Sequence, residues 1–340
     1  GIAHVWTPES GTVRSIREVP FFHHAVVQRM RKSARSGIKT GLFHLVLWAS
    51  LAWLMVNFAP EALVEYAPLL GLPALFLGLA PLIRGCLTLM PGRSYSVSSL
   101  RRTARTMRFQ EWLARGRAPT VRNLCVVLIA IGVMQFFTDD ATRQWLPASI
   151  KSAGLMKYEV RNGEYWRLIT GTLLHYGHLH LFMNCFALFF LGRFVVRLTN
   201  GPTASLTLFL AALGGSLASL VFLPGKASVG FSGAILGLLG FLVALGRRRP
   251  HVIPRNFRRL LMGDLIFITL VGLAAYKLFD NAAHMGGLGT GWLIGMAVIS
   301  RRGSSFPVVP RAGVNVLGWI SHTVLLGFAA FTLWKISGFS

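Results

Sequence analysis

Ser232 lies in Gly230-Phe231-Ser232-Gly233, at the head of an apolar, glycine-spaced run. His284 follows 52 residues later in Ala282-Ala283-His284-Met285-Gly286-Gly287, at the head of another. A serine hydroxyl is a poor nucleophile until a base takes its proton. At the start of a helix it also has free backbone N–H groups and the positive dipole end beside it, which suit a developing oxyanion. Gly230 and Gly233 leave room for another backbone to approach. Gly233, Gly237 and Gly240 form one narrow helix flank, and Gly287 and Gly291 form another. Two such flanks let helices approach closely enough for serine and histidine to meet. The competing reading is that Ser232 is a small packing residue in a membrane helix.

The elements that must hold these residues are membrane spans. The chain has 340 residues, 53% apolar and 14% charged. A soluble domain of this size could not cover so much apolar surface, so an all-α polytopic membrane protein is expected. Nine apolar segments lie near 42–58, 67–90, 121–137, 178–198, 203–223, 232–246, 259–275, 282–299 and 312–334. Those at 232–246 and 282–299 fall short of the roughly 20 residues a perpendicular helix needs, and require protein around them. The connector 138–167 is of mixed charge and carries Trp145 and Trp166, which suit the membrane interface. Cys86, Cys125 and Cys185 all fall in apolar segments, without the spacing of a disulfide framework or zinc site.

Net charge is +24. If every segment crosses, 26 of the 35 basic residues fall on the side of the N-terminus and eight on the other, while the acidic residues lean the opposite way. This alternation supports nine crossings, with the basic side cytoplasmic or matrix. His178, His180, Ser232 and His284 then share the opposite face.

Five sites taken together resemble the rhomboid intramembrane serine proteases. They are Trp166-Arg167, His175, His180-Leu181-Phe182-Met183-Asn184, Gly230-Phe231-Ser232-Gly233 and Ala283-His284-Met285-Gly286-Gly287. The resemblance covers roughly 121–299, as a six-helix rhomboid core. The expected organisation is a basic N-terminal segment over 1–41, two additional spans over 42–90 and a basic linker over 91–120. The core at 121–299 and one further span within 300–340 complete it. The resemblance implies that Ser232 is the nucleophile and His284 its general base, in a dyad without a carboxylate. It implies that His180 and Asn184, on one helix face by their i, i+4 spacing, form the oxyanion hole with the Ser232 N–H. Trp166 and Arg167 are implied to anchor the first loop, and His175 to serve a structural or water-retaining role. Leu236 stands where many members carry an aromatic beneath the base, and Gly171 where a histidine can occur.

Other chemistries find less support. His175, His178, His180 and His284 could suggest a metal cluster. A zinc intramembrane protease, however, needs His-Glu-x-x-His, which does not occur, and no carboxylate is expected nearby. No metal and no cofactor are therefore expected. An aspartyl protease needs two intramembrane aspartates, and only Asp264 lies in a span. No repeat of the transporter kind is visible. The expected function is hydrolysis of a peptide bond in or near the transmembrane helix of a membrane-protein substrate. The alternative is a catalytically silent rhomboid-like scaffold or subunit of a larger inner-membrane complex. Inactive relatives usually lose the serine or the histidine, and both are present. Expected partners are the substrate helix, anionic lipid including cardiolipin, and other subunits, but not nucleic acid. The start at Gly1 and the arginine excess point to the mitochondrial inner membrane, with a bacterial plasma membrane as the alternative.

Overall fold

In a computed structural model of the chain, residues 4–7, 12–15, 20–58, 71, 74–90, 97–140, 146–250, 253–301, 307–308 and 310–338 are described. The protein is an all-α polytopic membrane protein. Among the described residues the one exception is a small antiparallel ribbon of β1 (His4–Thr7) and β2 (Thr12–Ser15), with His4 opposite Ser15.

The chain divides into two compact units, Gly1–Glu111 with Gly263–Tyr276, and Trp112–Met262 with Lys277–Ser340. In the first, helix α1 runs over Pro20–Phe58. The basic segment expected over 1–41 is therefore helical from its middle onward. Proline suits a first helical position, and Gly37 is the only glycine between it and Lys39. Arg29 on α1 pairs with Glu111 at 3.0 Å. A π-helical turn at Ala74–Leu79 leads into α2 (Ala80–Leu89). The rest of the segment expected over 67–90 lies mostly outside the described residues. A Cβ at Gly85 would lie 2.7 Å from the Ala34 carbonyl oxygen, so α1 and α2 pack backbone to backbone. The basic linker contains an 18-residue helix, α3 (Val97–Ala114), which buries Leu100 and Leu113.

The second unit begins within the end of α3 and continues through α4 (Pro119–Asp140). Three short helices follow, α5 (Ala148–Ala153), α6 (Lys157–Arg161) and α7 (Arg167–Leu173). Then come α8 (Gly177–Leu198), α9 (Gly201–Phe222), α10 (Ser232–Arg248), α11 (Arg255–Ala274), α12 (Asn281–Val298) and α13 (Ala312–Ile336). Residues of α11 from Gly263 onward belong to the first unit. Among the described residues, α4, α8, α9, α13 and the His24–Phe58 stretch of α1 are long and apolar enough to cross a membrane. Helix α10 is shorter, and 13 of its 17 residues are buried, so protein replaces lipid around it. Helix α12 buries its glycine side (Gly287, Gly291, Gly295) and exposes Met285 and Leu293. A Cβ at Gly287 would overlap the Gly233 carbonyl, and one at Gly291 the Gly237 carbonyl. Only glycine permits that approach. The added helix α13 docks on α9, with Ser205 Oγ 3.1 Å from His322 Nδ1 and Asn200 donating to Asn315 at 2.7 Å.

Candidate active site

Ser232 is the first residue of α10. The chain reaches it through Gly230 at φ +122°, where a Cβ would stand 2.7 Å from His180 Cε1. Backbone bonds tie this approach to the α5–α7 loop. Leu155 and Ser228 exchange two N–H···O bonds, at 3.1 and 3.2 Å, and Gly230 donates to Gly171 O at 3.2 Å. A Cβ at Gly171 would lie 2.5 Å from Leu155 N, so a larger side chain has no room in this loop.

His284 stands in the first turn of α12, which starts one residue after Asp280. Close packing of α10 and α12 brings Ser232 Oγ to 2.7 Å from His284 Nε2. With Nε2 as acceptor, the imidazole proton resides on Nδ1, the arrangement that lets Nε2 take a second proton. Leu236 is buried in α10, and the aromatic ring beside His284 comes from Phe279, at 6.0 Å between centroids.

His180 packs over Gly230, and its Nδ1 accepts from the Tyr176 N–H at 3.3 Å. Asn184 is buried, and its amide donates to His180 O at 2.9 Å while its Oδ1 has no partner among the described residues. That amide is turned along its own helix rather than outward. His175 is 4% exposed, and among the described residues neither ring nitrogen makes a hydrogen bond of good geometry. Its backbone N–H donates to Gln135 Oε1 at 3.0 Å, and its ring stacks edge-on against His180 at 5.2 Å. Burial, reinforced by the His180 ring, pushes the His175 pKa down to about 3. With Gln135, Asp139 and His178 it lines a cavity of about 190 Å³ whose lining does not include Ser232 or His284.

Arg167 is buried. It donates to Lys151 O and Gly154 O at 3.1 and 3.0 Å, pairs with Glu164, and lies 4.6 Å over the Trp166 ring. Trp166 also meets Phe331 of α13. Thr170 is fully buried and donates to Ala153 O at 2.7 Å.

The expectation of no carboxylate near the histidines needs correction. Asp280 caps α12, accepting from the Ala283 N–H at 2.8 Å through Oδ1. Its Oδ2 accepts from the hydroxyls of Ser219 and Ser228, and Lys157 Nζ lies 4.0 Å away. Burial pushes its pKa up, but the two hydroxyls, the Ala283 N–H and the Lys157 ammonium together hold it below the usual carboxylate range. Burial is also the main reason that the Lys157 pKa is lowered to about 8, against the pull of Asp280. An acidic side chain directly before an apolar, helical run is a sequence signal for a helix cap. Nothing local links it to residues 157, 219 and 228. Among the described residues, no three His, Cys, Asp or Glu side chains are grouped as metal ligands would be.

Residues 162–301 match the family model of the Rhomboid domain. The chain is similar to Rhomboid protease GluP of Bacillus subtilis (strain 168), 36% identical over 175 residues, 50% of this chain and 31% of GluP. It is similar to RHOMBOID-like protein 6, mitochondrial, of Arabidopsis thaliana, 35% identical over 145 residues, 42% of this chain and 47% of that relative. It is also similar to YdcA of Bacillus subtilis (strain 168), 30% identical over 144 residues, 42% of this chain and 72% of YdcA. The chain belongs to the rhomboid family. It spans less than half the length of the first two relatives.

Proposed function

We propose that this protein is an intramembrane serine protease that cleaves a peptide bond in or near the transmembrane helix of a membrane-protein substrate. The observation that carries the reading is the 2.7 Å contact between Ser232 Oγ and His284 Nε2. As Oγ attacks the scissile carbonyl carbon, its proton passes to Nε2 and the carbonyl oxygen becomes an oxyanion. The backbone N–H of Ser232, at the open start of α10, faces charge developing there, and His180 and Asn184 are proposed to add donors from α8. Asn184 must then turn its amide from His180 O when substrate arrives. Collapse of the intermediate breaks the C–N bond, the imidazolium protonates the leaving amine, and an acyl-enzyme remains. Water, deprotonated by His284, attacks the ester and releases the acid. A substrate helix hides its carbonyls in its own hydrogen bonds, so it must unwind locally first.

The word mitochondrial in the name of the plant relative supports a mitochondrial location, and the inner membrane is the part proposed. The basic stretches over 1–41 and 91–122 suit anionic lipid such as cardiolipin and docking of other subunits. The test is cleavage of a single-span reporter in proteoliposomes. Ser232→Ala and His284→Ala should abolish cleavage with folding intact, and His180→Ala should lower turnover. Full cleavage by the Ser232→Ala variant would overturn the reading. A wild-type chain that binds reporter or partners without cleaving would support the scaffold instead.

A further inference from the structure

Ser228 and Asp280 sit four residues before Ser232 and His284 respectively, and they meet each other just as that second pair does. Asp280 Oδ2 accepts from Ser228, in the loop that leads to the nucleophile, and from Ser219 on α9. Oδ1 caps the helix that carries His284, and the Asp280 backbone carbonyl accepts the His284 N–H at 3.0 Å. Lys157 of α6 completes the cluster, its ammonium also donating to the Lys226 carbonyl, and Lys226 donates to Lys277 O at 2.6 Å. The Lys157 side chain is 1% exposed and that of Asp280 13%.

A helix cap needs one acceptor, which Ser, Thr or Asn supplies without bringing a charge out of water. Here a carboxylate and an ammonium are both desolvated, an arrangement that breaks even only when every remaining donor and acceptor is used. The contacts of the carboxylate reach four segments, through Lys157 of the α5–α7 loop, Ser219 of α9, Ser228 on the approach to Ser232 and Ala283 beside His284. The bonds of the carboxylate go to two serine hydroxyls and the Ala283 N–H, so position is the contribution they make. We propose that Asp280 is a positioning residue for the Ser232–His284 pair. It clamps residue 228 to residue 280 so that residues 232 and 284 arrive in register, with Ser219 and Lys157 holding the clamp. The inference rests on the proteolytic reading above.

The test uses the full chain in proteoliposomes with the single-span reporter, at a temperature where each variant remains folded by its thermal unfolding curve. Asp280→Asn keeps a cap acceptor but turns an N–H₂ toward Ser219, Ser228 and Lys157. A misplacement on the ångström scale should lower kcat by about 10- to 100-fold. KM should stay within about twofold, because no substrate-binding group is touched. Ser228→Ala, which leaves the cap intact, should lower kcat several-fold and serves as the decisive variant if Asp280→Asn does not fold. Serine at 219 replaced by alanine should show the same pattern, more weakly. Wild-type kcat in folded Asp280→Asn and Ser228→Ala, or a change confined to KM, would overturn the inference alone. A wild-type chain that neither cleaves nor reacts with a fluorophosphonate would overturn the proteolytic reading, and the inference with it.

Discussion

Replacing Gly287 with alanine tests whether helix packing sets the distance between serine and histidine. The added methyl would stand 2.6 Å from the Gly233 carbonyl carbon and overlap its oxygen. Non-bonded carbons sit comfortably at roughly 3.5–4.0 Å, so α10 and α12 must separate by about 1 Å at that level. Gly233 adjoins Ser232, and Gly287 lies less than one turn from His284, so the displacement falls on the pair itself. The 2.7 Å contact would lengthen to about 3.7 Å, beyond hydrogen-bond range. Overpacking of this kind destabilises by roughly 1–3 kcal/mol. Loss of proton transfer to a positioned base lowers the rate by about 10²–10⁴-fold. Gly289 is the control, two residues further along the same helix, where an added Cβ meets nothing within 4 Å among the described residues. There alanine should stabilise by roughly 0.5–1 kcal/mol through backbone entropy, with reactivity unchanged. The assay is thermal unfolding of the full chain in detergent, alongside its rate of modification by a fluorophosphonate. Wild-type reactivity in Gly287→Ala, or equal effects at 287 and 289, would refute the reasoning.

Two further outcomes follow from the site's surroundings. His175 has a folded-state pKa of about 3 against an ordinary 6.5, so between those values the unfolded chain binds a proton that the folded one refuses. Stability should therefore fall as pH drops below about 6.5, by about 2 kcal/mol at pH 5. His175→Leu should flatten that dependence in unfolding curves recorded across the range, and an unchanged slope would contradict burial as the cause. Arg167→Met should lower the unfolding midpoint, because each buried carbonyl left without its donor costs roughly 1–3 kcal/mol. Reactivity of Ser232 should survive below that midpoint, and selective loss of reactivity would instead give Arg167 a part in the chemistry.

Much of this site is legible in the sequence, because each half announces itself locally. Ser232 and His284 both open apolar runs, and the glycines that follow them mark the flanks by which α10 and α12 approach. The nine apolar segments coincide with helices in their described parts because hydropathy alone sets where lipid can be met. What escapes is whatever depends on residues far apart in the chain. The Asp280 cluster draws on positions 157, 219, 228 and 280, and none of them is unusual by itself. Leu236 reads as a missing aromatic until Phe279, five residues before His284, is seen beside that ring. Gly171 reads as a lost histidine until the Leu155 backbone is found against it. Helix α1 starts well before its apolar part, since charge sets where a helix leaves the membrane, not where it begins.

In the proposed mechanism the Ser232 hydroxyl is activated by His284. Mass spectrometry of the full chain after treatment with a fluorophosphonate tests it most directly. A single adduct on the peptide containing Ser232, lost in His284→Ala and in heat-unfolded protein, is the predicted result. No adduct on Ser232, or one that forms equally well without His284, would contradict it.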